Sequence, residues 1–179
     1  MNALLSLSRG IDWLNDRFAV FAKWAVLASC LISAANAVVR YVFNYSSNAY
    51  TEIQWYLFSA CVMLGAAQVM RVNEHVRVDV LYGLYSGRTQ AKIDLAGMLL
   101  FVLPVMGVLV YYCWPMFTQM LRSGEMSSQS GGLIRWPVVL MLPLGFALIM
   151  LQGMSEAIKR WAWLHHAYEG DFHYERPLQ

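Results

Sequence analysis

Four long runs without a charged residue constrain this chain more than any other feature: Trp24–Val39, Ile53–Met70, Leu95–Leu121 and Trp136–Ser155. A helix needs ~20 mostly apolar residues to cross ~30 Å of hydrocarbon. The last three runs come near or exceed that length, and the first reaches it with its flanks, from Phe18 to Phe43. Only helices and closed barrels satisfy their backbone hydrogen bonds in lipid, and these runs are too long for barrel strands. The sequence therefore predicts an all-α integral membrane protein with four transmembrane helices, over about 20–42, 50–71, 94–120 and 137–158.

Composition narrows the function. Of 179 residues, 59% are hydrophobic and 13% charged, against about 25% charged in a soluble domain. The spans leave no room for a separate soluble unit, so residues 1–179 read as one four-helix membrane domain. A net charge of +2 is too small to imply a nucleic-acid partner. Many aromatic residues, including Trp24, Tyr41, Tyr45, Tyr50, Trp114, Trp136, Trp161 and Trp163, lie near predicted span ends, where interfacial belts form. Cys30, Cys61 and Cys113 all fall within apolar runs, an arrangement that fits small buried side chains better than a disulfide framework or a metal site. Ala35-Asn36-Ala37 resembles a signal cleavage site, but the segment before the first run exceeds twenty residues and contains Asp12 and Asp16, unlike a signal peptide.

Lysine and arginine are unevenly shared between alternate connections. Ten lie before the first span, between the second and third, or after the fourth; three, Arg40, Arg122 and Arg135, lie on the other side. The positive-inside rule then predicts cytoplasmic termini and middle loop, with the connections Tyr41–Thr51 and Arg122–Arg135 facing outward. Two amphipathic segments look interfacial. Within residues 1–19 and just beyond, Leu4, Leu7, Ile11, Leu14, Phe18 and Phe21 share a helical face, with Arg9, Asp12, Asp16 and Arg17 elsewhere. This helix is expected to lie on the membrane surface or against a partner protein. In the middle loop Val76, Val80, Leu81, Leu84 and Tyr85 share a face, weakened by Gly83 and Gly87. The tail 168–179 is polar.

Ala25, Ser29, Ser33 and Ala37 recur every four residues on the first span. Small residues in a row let another helix approach closely; whether that helix is the second span or a separate protein is open at this stage. Pro104 is expected to bend the third span, Pro137 suits the start of the fourth, and Pro143 with Gly145 is a second candidate kink. Arg40 and Glu52 flank the first outer connection, where they either meet across the hairpin or extend independently toward headgroups.

The spans lack the ionisable groups that mark a transport path. All four histidines, at 75, 165, 166 and 173, lie outside them, so no pair of haem ligands faces the bundle interior. Phosphate-binding glycine loops, metalloprotease motifs and a nucleophile placed beside a base are likewise missing from the sequence. The reading is a membrane scaffold or subunit, not an enzyme, with no cofactor or metal.

Particular stretches carry a resemblance. Arg40-Tyr-Val-Phe43, Asn48-Ala-Tyr-Thr-Glu52-Ile-Gln-Trp-Tyr-Leu-Phe, Leu64-Gly-Ala-Ala and His75-Val-Arg-Val-Asp79-Val are followed by Glu125-Met-Ser and Gly131-Gly-Leu-Ile-Arg-Trp-Pro137. Together, over about Arg40 to Ile158, they resemble the small, DctQ-like membrane subunit of tripartite ATP-independent periplasmic (TRAP) transporters, in the branch labelled for mannitol, chloroaromatic or 2-oxo acid transport.

The resemblance implies a bacterial inner-membrane protein. It would scaffold a large DctM-like membrane subunit during sodium-coupled uptake of an organic anion, commonly a carboxylate, delivered by a periplasmic binding protein. Membrane lipid and these two proteins are the implied partners, and the chain's end soon after span four implies that the large subunit is a separate chain. The alternative is a stand-alone carrier or a scaffold for another complex. On the TRAP reading, Ala25, Ser29, Ser33, Ala37, Arg40, Glu52, His75, Arg77 and Asp79 are packing or subunit-interface candidates. Glu125, Gly131, Gly132, Arg135 and Trp136 are candidates for the periplasmic surface near the docked binding protein.

Overall fold

A computed structural model describes residues 2–45, 47–74, 82–129 and 131–168. Its elements are α1 (Asn2–Phe43), α2 (Asn48–Arg71), a 3₁₀ turn (Tyr82–Leu84), α3 (Gly87–Gly97), a π-helical turn (Met98–Val102), α4 (Leu103–Ser123) and α5 (Trp136–Leu164). The chain is all-α, and four helical segments are long and apolar enough to cross a membrane, α3, the π turn and α4 counting as one. Among the described residues the β pairing consists of an isolated bridge between Met126 and Ile134.

The helix ends follow from local chemistry. Ser47 is extended and its Oγ accepts the Ala49 N–H at 3.3 Å, capping α2. Asn44 follows α1 with φ 50°, and Gly124 follows α4 with φ 61°, both in the left-handed region that closes helices. Pro104 falls where the third span changes hydrogen bonding. Its ring lacks an N–H and crowds the preceding turn, and the backbone there widens into the π turn, with Leu103 N–H reaching Met98 O five residues back.

α5 is the centre of the bundle. It packs against α1, α2, α3, the π turn and α4, whereas α4 leans chiefly on α5. The apolar core joins Ala22 and Ala25 of α1, Ala60, Leu64 and Ala67 of α2, and Leu148 of α5. Four of these six are alanines, so the backbones approach closely and dispersion contacts accumulate. Gly145 is the tightest of the glycines within the helices: a Cβ there would lie 2.7 Å from Met63 Cβ and 2.8 Å from Met63 O. Away from these seams the surface is apolar; Leu31, Val42, Phe43, Leu100, Phe101, Tyr111 and Tyr112 are exposed, as lipid-facing residues must be.

The N-terminal segment continues into the first span without a break, as one helix of 42 residues. At 1.5 Å per residue it is about 63 Å long, twice the hydrocarbon thickness. Its inward seam is Ser8, Ile11, Asp12, Asn15, Ala19 and Ala22, a mixed stripe at three- and four-residue steps, while Leu4, Leu7 and Phe21 of the apolar face stay exposed. Of the middle-loop face, Val76, Val80 and Leu81 lie outside the described residues; Leu84 and Tyr85 are exposed.

Candidate functional site

The polar chemistry is concentrated at the two ends of the bundle. At one end, the connection between α4 and α5 folds back as a small hairpin. Ser127 N–H donates to Leu133 O at 2.9 Å, Arg135 N–H to Glu125 O at 3.0 Å, and Gly132 N–H to Gln129 O at 2.9 Å. Gly131 has φ 72°, a left-handed geometry suited to glycine. Gly132 has no room for a side chain, since a Cβ would sit 2.6 Å from Ser127 Cβ and 2.8 Å from Gln129 O.

Glu52 fastens this hairpin to α2. Its carboxylate is 2% exposed, accepting the Leu133 N–H at 2.7 Å and a hydrogen bond from the Ser127 hydroxyl. One helical turn on, Tyr56 OH donates to Ile134 O at 3.1 Å. The positions i and i+4 of one helix thereby grip successive residues of the returning loop. Outside this grip, Arg135 and Glu125 pair across the hairpin at 2.6 Å, each side chain 45% exposed. Trp136 opens α5, half-buried.

The structure therefore brings Glu52, Glu125, Gly131, Gly132, Arg135 and Trp136 into one assembly. Of the two alternatives for Arg40 and Glu52, the pairing across the hairpin is not the one seen: the two Glu52 oxygens are taken by Ser127 and Leu133, and Arg40 is exposed. A backbone N–H on a folded loop can be held at fixed distance, whereas a long arginine side chain at a span end pays more conformational entropy to be fixed. The small-residue stripe divides. Ala25 is in the core and Ser29 Oγ donates to Gln54 O at 3.5 Å, so its first half packs on α2; Ser33 and Ala37 are exposed. His75, Arg77 and Asp79 lie outside the described residues.

The opposite end holds a buried ionic network. Lys159 Nζ bridges Asp12 at 2.7 Å and Glu156 at 2.8 Å. Arg160 joins Glu156 at 2.5 Å and Asp94 of α3 at 3.0 Å. Arg71, at the end of α2, pairs with Asp16 and stands 3.9 Å from Asp12. Neutral groups fill the remaining valences: Gln152 Nε2 donates to Asp12 and Glu156 at 3.1 Å each, Asn15 donates to Gln152 Oε1 at 2.6 Å, and Ser155 Oγ donates to Asp12 at 2.8 Å. The network ties α1, α2, α3 and α5 together. Sequence reasoning missed it. Its one local signal is the spacing of Gln152, Ser155, Glu156, Lys159 and Arg160, which puts polar groups along one side of a helix that is otherwise apolar.

These sites organise the fold, and between them α2 and α5 carry no ionisable side chain from Ile53 to Met70 or from Trp136 to Ser155 apart from Tyr56 and Cys61. The comparison with protein families supplies the context. A family model described as "Tripartite ATP-independent periplasmic transporters, DctQ component" matches residues 29–162. The chain belongs to the DctQ family. No curated protein and no solved structure matches it. The DctQ match includes the Glu52 grip, the α4–α5 hairpin and the α5 half of the ionic network, while Asp12 and Asp16 precede it. This DctQ chain is a multi-pass membrane protein of a transporter family.

Proposed function

We propose that the chain is the small accessory subunit of a TRAP transporter in a bacterial inner membrane, with both termini and the middle loop in the cytoplasm. The observation that carries this reading is the DctQ family match over residues 29–162. The subunit would enlarge the stationary scaffold of a large DctM-like subunit, while a periplasmic binding protein delivers an organic anion of the carboxylate class for sodium-coupled uptake. The concentration of charge at the bundle ends supports a scaffolding role, because a substrate or ion path needs polar groups at membrane depth. The ten-to-three distribution of Lys and Arg supports the orientation.

In that orientation the exposed Glu125–Arg135 pair and the hairpin carrying Gly131, Gly132 and Trp136 contribute to the periplasmic surface, next to the binding protein. The buried network of Asp12, Glu156 and Lys159 fixes the cytoplasmic end. The test is purification of the tagged full chain from its native membrane in mild detergent, followed by mass spectrometry. A stoichiometric large polytopic partner is expected; a folded chain that purifies alone would contradict the proposal.

A further inference from the structure

α4 leans chiefly on α5, and its outer face carries a repeating seam. Val105, Val108, Tyr112, Pro115 and Gln119 follow one another at steps of three, four, three and four residues, and all are exposed. Such alternation gives the a and d positions of a heptad, the pattern by which two helices pair side by side. Tyr111 flanks the seam, its ring centre 5.4 Å from that of Tyr112 and edge-on to it. The two tyrosines are 73% and 71% exposed, and among the described residues neither hydroxyl has a hydrogen-bond partner. Their depth is the deciding feature. Residues 136–155 of α5 are charge-free and run about 30 Å, the hydrocarbon thickness. Val102 lies against Gly153 and Gly107 against Met150, so the two helices are antiparallel. Tyr111 and Tyr112 then stand level with about residues 144–146, the centre of that stretch. Helix side chains lean toward the N-terminus, which keeps both phenols near mid-depth, ~15 Å from either edge of the hydrocarbon. Tyrosine ordinarily sits in the interfacial belts, where its hydroxyl is wet. In a single chain this face meets lipid alone, and lipid at that depth leaves the hydroxyls unbonded at a cost.

We infer that a second copy of this chain covers the face, the two α4 helices lying parallel about a two-fold axis normal to the membrane. That axis sets each a-position residue against its own copy at equal depth. A phenol both donates and accepts, so the two Tyr112 hydroxyls satisfy each other, with Tyr111 closing the pair from the side. The Gln119 amide, also donor and acceptor, meets its copy nearer the membrane edge. No charged residue lies between Asp94 and Arg122, so the identical faces do not repel each other within the hydrocarbon. Arg122 itself is exposed at headgroup level, where salt screens it from its copy. Phe101, Tyr111 and Tyr112, at 69%, 73% and 71% exposure, offer roughly 300–500 Å² of the ~800 Å² per partner of a standard interface. Val105, Val108 and Met116 enlarge that patch. The inference stands on α4 and does not depend on the transporter reading.

The experiment counts copies of the labelled full chain, with any retained partner, in vesicles of its own membrane lipid, by stepwise photobleaching at a series of chain densities. Two copies per unit are expected. Tyr112→Phe removes only the hydroxyl and raises the density needed for pairing roughly three- to tenfold, the scale of one interhelical hydrogen bond in a membrane. Val108→Trp holds the helices apart and leaves single copies, whereas Leu31→Trp, on an exposed face of α1, leaves the pair intact. A photo-crosslinking residue placed at Val108 joins the chain to α4 of a second copy. Single copies at every density, pairing of Tyr112→Phe or Val108→Trp as tight as that of the unaltered chain, or a crosslink from position 108 to lipid or to a different protein alone would overturn the inference. The count on the unaltered chain and the crosslinked peptide decide the matter even if a substituted chain does not fold.

Discussion

The Glu52 carboxylate accepts the Leu133 backbone N–H at 2.7 Å, across 81 positions of sequence. The start of α2 thereby holds the connection that leads into α5. With Ser127 on its other oxygen and Tyr56 on Ile134, the loop has three anchors on one helix face. The shape of this end of the bundle depends on α2 as much as on the loop's own glycines.

Replacing Glu52 is therefore expected to release the hairpin. Glu52→Gln retains an acceptor oxygen of the same reach but loses the charge, so its effect is milder than that of Glu52→Ala, which takes the acceptor away from the Ser127 hydroxyl and the Leu133 N–H. Limited proteolysis within residues 124–135 should be slowest for the unaltered chain, faster for Glu52→Gln and fastest for Glu52→Ala. Equal rates would show that the hairpin holds itself.

Lys159 is the hub of the opposite end. Lys159→Met removes the cation shared by Asp12 and Glu156 and leaves buried carboxylates without it. Breaking a buried ion pair on one side typically costs about 3–5 kcal/mol. Unfolding measurements should show a loss of that order, and Asp12→Asn combined with Lys159→Met should lose less than the sum of the single changes. Strict additivity would mean that the two residues do not act on each other.

Close helix packing makes a graded prediction about glycines. Gly145→Ala drives a methyl group into the Met63 backbone, an overpacking expected to cost about 1–3 kcal/mol. Gly107→Ala faces only Met150 Sδ at 3.8 Å and should be tolerated. Thermal unfolding of the two variants in one detergent checks the contrast; equal midpoints would contradict the close approach of α2 and α5.

Much of this architecture was legible in the sequence, for reasons specific to its segments. The charge-free run Leu95–Leu121 has to be a membrane helix, and it lies within the continuous segment Gly87–Ser123. Helices extend beyond the apolar runs, as α5 does to Leu164, because amphipathic turns continue past the hydrocarbon. At the candidate site, Glu125, Gly131, Gly132 and Arg135 came into view through the resemblance to the DctQ-like subunit, not through a local rule of spacing. What stayed hidden were partners fixed by tertiary folding. Nothing near Asp12 points to Lys159, 147 positions away, and no local rule tells Glu52 to prefer Leu133 over the nearer Arg40. Asp12 looked like part of a solvated face because helical periodicity reveals which residues align, not which side meets another helix.

The exposed Glu125–Arg135 pair separates folding from function. With both side chains 45% exposed, it should contribute at most about 1 kcal/mol to stability. Glu125→Gln and Arg135→Gln are expected to leave the chain folded in the membrane, yet to reduce uptake when the binding protein is scarce. Unchanged uptake under that limitation would remove the pair from the docking surface.

The central claim is that this chain supports transport without performing it, and proteoliposome uptake tests that most directly. The purified chain alone, the large subunit alone and both together are supplied with the binding protein, a sodium gradient and a panel of labelled organic acids. The account predicts no uptake by this chain alone and sodium-dependent uptake by the pair. Solute accumulation by this chain alone would contradict it.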